Sequence, residues 1–342
     1  MNRARPIVLI SLGLANACVA QPVPDYGLEW RTIGSLGNAP ASPDDFVFLG
    51  PDFGGPGPIG RVDHEYRLAR TELTVAQYLE FVQAYSVLRP SAAFEPGFYG
   101  SNIYRTSDDP ANFGWQFIPD SEFAPADMSW LYAARYCNWL TNSKANELWA
   151  FESGAYDTST FVRGPDGIWS GQGTHSVGAL FWVPSLDEWT KGFHYDPDKL
   201  APGEGGYWLY PHGSDTAPVG GFPWTPGAET AAGNYPGGEG FRIFPVGSYP
   251  TTQSPWGLLD GSGGESEWLE WDAPTAWLVR TRGSESNLRH PQLADRLDNT
   301  GGDWPDIAGN GLRLASIAPA PGTAFLAFYV IGWVGTRKDR LK

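Results

Sequence analysis

Apolar positions recur at helical spacing in three short stretches of the chain and run continuously in a few shorter ones. After Thr74, Tyr78, Val82 and Tyr85 fall on one helical face, and Thr74-Val-Ala-Gln77 has the order of a capping box, which predicts a helix beginning there. A second helix is predicted from Ser129, with Ala133, Tyr136, Cys137 and Leu140 on one stripe. A third is predicted from Ser185, where Ser185-Leu-Asp-Glu188 repeats the capping-box order and Trp189 turns inward. Phe46–Gly50, Tyr66–Ala69, Leu180–Val183 and Arg242–Val246 read as strands. Helices this short do not stand alone in water, so they must pack on a sheet. Between these elements, Gly- and Pro-rich stretches at 33–60 and 201–240 read as long ordered loops, and there is no internal repeat.

Composition supports this picture. With 43 Gly and 30 Pro in 342 residues, long helices and coiled coils are disfavoured, while 16 Trp, 15 Tyr and 18 Phe supply a sizeable aromatic core. The net charge of -15 excludes a nucleic-acid backbone as partner, because that requires clustered Lys and Arg. Acidity alone implies solubility, or cation binding where carboxylates cluster. The histidines His64, His175, His194, His212 and His290 are scattered without metal-ligand spacing. The cysteines are Cys18 and Cys137, so loss of the first residues would leave one thiol and no internal disulfide.

Both ends read as addresses. Residues 1–20 combine a basic start, an apolar run from Ile7 to Ala15 and small residues at Cys18 and Ala20, the layout of a cleaved secretory signal. A lipoprotein signal ending at Cys18 is the alternative. Residues 317–342 carry Pro319-Ala-Pro321, an apolar run from Thr323 to Gly335 and a basic tail with Arg337, Lys338, Arg340 and Lys342. That run is short of the roughly 20 residues of a full membrane span. The tripartite layout resembles PEP-CTERM sorting signals, with Pro-Ala-Pro in place of Pro-Glu-Pro. The resemblance implies processing by an exosortase-like enzyme and at least transient membrane anchoring at the C-terminus.

The segment between them, residues 21–316, carries an ordered series of motifs. These are Arg70-Thr-Glu-Leu-Thr-Val-Ala-Gln-Tyr-Leu-Glu-Phe, Met128-Ser-Trp-Leu-Tyr-Ala-Ala-Arg-Tyr-Cys-Asn-Trp-Leu and Phe181-Trp-Val-Pro-Ser-Leu-Asp-Glu-Trp. They are followed by Pro245-Val-Gly-Ser-Tyr-Pro with Trp256-Gly-Leu-Leu-Asp, then Gly263-Gly-Glu-Ser-Glu-Trp, Arg282-Gly-Ser and Gly311-Leu-Arg-Leu-Ala. Taken in order, these resemble the sulfatase-modifying-factor family, whose founding members generate formylglycine. The resemblance implies an α+β, C-type-lectin-like fold of short helices, small twisted sheets and much irregular loop.

In active relatives two cysteines follow the Arg-Gly-Gly-Ser segment, bind Cu(I) and activate oxygen. Here the matching positions are Asn287 and Gln292, whose amides form no thiolate. Cys137, on a helix stripe, is expected to be buried and inert. The resemblance also implies two structural Ca²⁺ cages built from oxygen ligands, the donor type a hard cation selects. One falls on Asn234, Tyr235, Glu239 and Phe241; the other falls on Asp260, Gly263, Glu265 and Glu267, with Gly263-Gly264 letting the loop turn its carbonyls inward. The expectation is an exported surface or extracellular-matrix protein with a non-catalytic binding or scaffolding domain for a glycan or protein ligand. The alternative is an oxidoreductase-type enzyme of the same family using a site without cysteine.

Overall fold

A computed structural model of the chain describes residues 22–41, 58–109, 113–233, 244–271, 278–284, 295–299 and 301–319. The main compact unit runs from Asp25 to Ala318; the second unit combines Met1–Pro24 with Pro319–Lys342, nearly all of it outside the described residues. Among the described residues the architecture is α+β, as expected, with four short α-helices, small sheets and long irregular connections.

The helices are α1 (Val75–Leu88), α2 (Trp130–Thr141), α3 (Leu148–Glu152) and α4 (Leu186–His194). Both capping boxes are present: Thr74 Oγ1 accepts from Gln77 N and the Gln77 side chain returns to Thr74 N, and Ser185 and Glu188 do the same for α4. Ser129 stands at the N-cap of α2 but its side chain makes no capping bond. The expected α2 stripe is buried, and so is every other residue from Trp130 to Leu140. The reason is that α2 is covered on more than one side. Thr141 Oγ1 bonds Phe181 on the sheet side, the Trp130 indole donates to Leu269 O, and α1 and α3 cover the rest with rings. Phe81 of α1 is the centre of that cover, within aromatic contact of Tyr78, Tyr85, Phe98, Tyr136, Trp139 and Phe151.

Two sheets frame the site. One is four-stranded, in the order Trp30–Ile33, Tyr66–Ala69, Ala315–Ile317, Phe181–Trp182, with antiparallel pairing throughout. The other is five-stranded, in the order Gly301–Asp303, Val279–Arg282, Glu267–Trp268, Asn310–Gly311, Asp127–Met128, with one parallel step where Glu267 pairs Gly311. A hairpin of Tyr195–Ala201 with Glu204–Tyr207 extends from α4. Tyr66–Ala69 and the Leu180–Val183 run are strands where expected, the latter reduced to Phe181–Trp182. Phe46–Gly50 and residues 242–243 lie outside the described residues, but Phe244–Val246 is not a strand. There Val246 enters a turn and donates its N–H to Phe123 O at 2.8 Å, a single loop contact in place of a ladder. Among the described residues no helix is long and apolar enough to cross a membrane.

Long loops need backbone partners, and Asn138 shows how they are supplied. Fully buried on α2, it donates to Phe151 O at 2.9 Å and Tyr156 O at 2.8 Å and accepts from Tyr156 N at 2.7 Å. Asn138→Ala leaves those three backbone groups buried and unpaired, so the expected loss is about 2–4 kcal/mol of stability. Denaturant unfolding checks this; a loss within about 0.5 kcal/mol of zero would mean that water replaces the amide.

Candidate functional site

Where the two sheets meet, one guanidinium gathers the chain. Arg313 follows the strand Asn310–Gly311 and is fully buried. Its Nε donates to both Glu267 oxygens at 3.0 Å, and Nη2 reaches Glu267 Oε1 at 2.7 Å. Nη1 donates to Ala69 O and Nη2 also to Leu259 O, each at 2.9 Å. The Trp189 indole of α4 completes Glu267 by donating to Oε2 at 2.6 Å. Burial works against the Arg313 charge, yet the adjoining Glu267 carboxylate holds its pKa above the ordinary arginine value.

Two more carboxyl groups share this interior. Asp260 has φ +59 and accepts from Gly247 N at 2.6 Å, and burial pushes its pKa up to about 6. Glu72, just before α1, accepts from Glu265 N at 2.7 Å through Oε1, while Oε2 has no hydrogen-bond partner among the described residues. Burial first, then the charges of Glu267 and Asp260, raise Glu72 well above the usual carboxylate range. The Gly263-Gly264 turn makes this approach possible. Gly263 has φ +84, and a Cβ on Gly264 would lie 2.2 Å from Glu72 Oε2.

A second polar cluster adjoins the first. Ser262 Oγ stands 2.5 Å from Asp295 Oδ2, 2.8 Å from Thr230 Oγ1 and 3.5 Å from Ser284 Oγ. Gly263 N donates to Ser284 O at 2.8 Å. Asp295 is buried, and that burial pushes its pKa up to about 7 against the hydrogen bonds from Ser262 and Ser284. On the other side of Ser262 lies a narrow cleft of about 10 Å³, room for one water, lined by His212, Glu229, Tyr249, Thr252 and Asp260 among others. Burial lowers the pKa of His212, and it takes fully buried His194 down to about 3, so both imidazoles are neutral near pH 7.

The structure therefore brings Asp260, Gly263, Glu265 and Glu267 together in one turn and strand, and adds Glu72 and Arg313 to them. Glu267 spends both oxygens on Arg313 and Trp189. Asn234, Tyr235, Glu239, Phe241, Asn287 and Gln292 lie outside the described residues. Among the described residues no group of three or more His, Cys, Asp or Glu side chains is arranged to hold a metal ion. Cys137 is fully buried on α2, and burial raises its thiol pKa well above the ordinary value. The sequence reading missed Glu72, Asp295 and Arg313 as site groups. The Glu and Arg stand inside recognised motifs, whereas nothing in its local sequence marks Asp295.

Asp295 gives this site a signed pH dependence. The unfolded carboxyl loses its proton near ~3.9, whereas the folded one keeps it to about 7. Between those values the folded state binds more protons, so this group's contribution to stability falls as pH rises from 4 to 7 and levels off above. Asp295→Asn keeps an oxygen for Ser262 and removes the titration. Its melting temperature, relative to wild type, is expected to climb across that window; parallel curves from pH 4 to 8 would show that Asp295 ionises normally in the fold.

No family model and no curated protein matches the sequence. Among solved structures, the chain is similar to one described as the crystal structure of CarF, at 18% identity and TM-score 0.49, covering 86% of this chain and 100% of that one. It is similar to Treponema denticola variable protein 1 at 14% identity and TM-score 0.46, over 84% of this chain and 95% of that one. It is also similar to PvdO from Pseudomonas aeruginosa at 15% identity and TM-score 0.47, over 86% of this chain and 97% of that one.

Proposed function

We propose that this is an exported protein of the cell surface or extracellular matrix whose formylglycine-generating-enzyme-type, C-type-lectin-like domain binds a ligand rather than catalysing oxidation. The observation that carries the proposal is the state of the thiols. The chain holds two cysteines, and the one inside the compact unit, Cys137, is sealed in α2 with its pKa raised by burial. Copper(I) oxidase chemistry needs accessible thiolates, and a single protonated, solvent-excluded thiol supplies none. The positions where the resemblance would put the reacting thiols are Asn287 and Gln292, outside the described residues, and their amides form no thiolate to hold Cu(I). Export and surface retention rest on the two end segments, with an exosortase-like enzyme as processing partner.

The copper question has a direct assay. Purified protein incubated with Cu(I), oxygen and a cysteine-containing sulfatase peptide is expected to yield no aldehyde above a no-enzyme control. Aldehyde formation above that control would overturn the non-catalytic reading and favour an enzyme using a site without cysteine.

Structural calcium is part of the same proposal. The support at Asp260, Gly263, Glu265 and Glu267 is an excess of buried carboxyl groups: three of them surround one guanidinium, and Glu72 Oε2 has no hydrogen-bond partner among the described residues. A divalent ion held there by Asp260 and loop carbonyls would relieve that excess. The cage at Asn234, Tyr235, Glu239 and Phe241 is proposed on its oxygen donors alone. Calcium bound by the folded state alone stabilises it by ~2.7 kcal/mol at a hundredfold excess over its dissociation constant. Chelation is thus expected to lower the melting temperature, and Asp260→Asn to reduce that response while leaving the other cage titratable. Glu267 is the wrong residue to remove, since its loss strands the Arg313 charge whether or not calcium binds. Superimposed melting curves with calcium and with chelator would end the calcium proposal.

A further inference from the structure

The loop from Val219 to Thr230 presents aromatic surface in an unusual way. Trp224 is 66% exposed, and Val219 of the same loop is exposed as well. Phe222 stacks on the indole with centroids 5.0 Å apart and planes 10° apart. Phe244 stands edge-on to both rings, at 6.1 Å from Phe222 and 5.9 Å from Trp224. Two rings thus brace a third that keeps solvent-facing area. Burying it against water-excluded apolar surface would be favourable, and nothing among the described residues does so.

The platform is held stiffly. Gly221 N donates to Thr230 O at 2.9 Å, Glu229 N to Val219 O at 2.8 Å, and Val219 N to the Glu229 side chain at 2.9 Å. Tyr249 Oη donates to Gly221 O at 2.6 Å, pinning the loop from below. Pro223 and Pro226 flank the tryptophan and fix their own φ angles. A surface already ordered before binding loses little entropy on contact. The same loop carries exposed Thr225 next to the tryptophan in sequence and the half-buried carboxyl of Glu229 five residues on, so neutral and acidic oxygen groups share the loop with the platform.

We infer that this platform is a binding site for a neutral carbohydrate chain, with the C–H face of a pyranose ring lying on Trp224 and its hydroxyl groups turned to the polar edge. Charge and size select the class. At a net charge of -15 the protein repels anionic glycans, nucleic acids and anionic lipid surfaces. Three rings and a valine offer far less than the roughly 800 Å² per partner of a stable protein interface. A lipid surface would call for basic residues around the aromatic group, and the loop carries an acidic one, Glu229. Flat apolar area edged by neutral and acidic oxygen groups matches an uncharged sugar, whose faces are apolar and whose rim is hydroxylated.

This inference rests on the ligand-binding reading and names its ligand class and place. The test uses the full mature protein titrated separately with cellohexaose, mannohexaose and chitohexaose, with heparin and phosphatidylglycerol vesicles as anionic arms. Saturable binding of at least one neutral hexasaccharide is expected. Trp224→Ala is expected to weaken it about tenfold or more, and Trp224→Phe to restore most of it. Trp149→Ala, which alters an indole exposed elsewhere, is expected to bind as wild type. Thermal melts of each variant separate lost binding from lost folding. No binding of any neutral hexasaccharide, or undiminished binding by Trp224→Ala, overturns the inference. Trp224-dependent binding to vesicles without sugar binding overturns the ligand class. A silent aldehyde assay alongside any of these failures leaves the non-catalytic reading standing, so the two ideas fail separately.

Discussion

The contact between Arg313 and Glu267 constrains more of the chain than any other pair. A buried guanidinium carries five donors in a fixed plane, and here they reach a carboxylate, the backbone of Ala69 and the backbone of Leu259. Ala69 belongs to the four-stranded sheet and Glu267 to the five-stranded one, while Leu259 leads into the turn at Asp260. Trp189 adds α4 to the same carboxylate. A hydrophobic replacement of similar volume can match the stability of a buried pair, but it would leave those carbonyls without donors. The pair is therefore a device of specification: it fixes which strands meet, at which residue, and how the Gly263 turn lies against Glu72.

A chain so rich in glycine and proline gains little from regular ladders, and its loops find their partners individually. Asn138 serves the segment after α3, Tyr249 serves the loop at Gly221, and Lys191, with its pKa lowered by burial to about 8, donates to Ser35 O and Val62 O. Each side chain replaces water that a surface loop would otherwise use. The aromatic cluster around Phe81 supplies the apolar burial that short helices cannot achieve alone.

What the sequence made legible follows from range. Both capping boxes bind residues three apart, so Thr74 and Ser185 announce their helices locally, and the structure has them. The α+β character follows from short helical stripes among Gly- and Pro-rich stretches. The Arg313–Glu267 contact spans 46 residues and the Glu265–Glu72 contact spans 193, and no spacing rule marks such distances. The stripe on α2 was visible, but not that its other faces would be covered too, because the cover comes from α1, α3 and the Phe181 strand. The strand expected at Arg242–Val246 illustrates the opposite error. An apolar run bounded by glycine reads as a strand, yet from Phe244 on it joins Phe222 and Trp224 in a ring cluster at the surface.

The same contrast bears on where a function can reside in this fold. Much of its polar interior is taken up by groups that pair with one another: Arg313 with Glu267, Asp295 Oδ2 with Ser262, and His194 Nδ1 with Trp208 O. The cleft beside them admits about one water, so a ligand entering there would have to displace that network. Displacement would expose an uncompensated buried charge, at a cost larger than the contacts a small ligand returns. The ligand binding proposed for this protein avoids that cost on the outside, where hydrogen-bonded loops hold apolar area that the core does not use. The interior contributes by anchoring: Tyr249 lines the cleft and holds the Gly221 backbone with its hydroxyl, so the loop that carries Trp224 is tied to a side chain of the polar cleft.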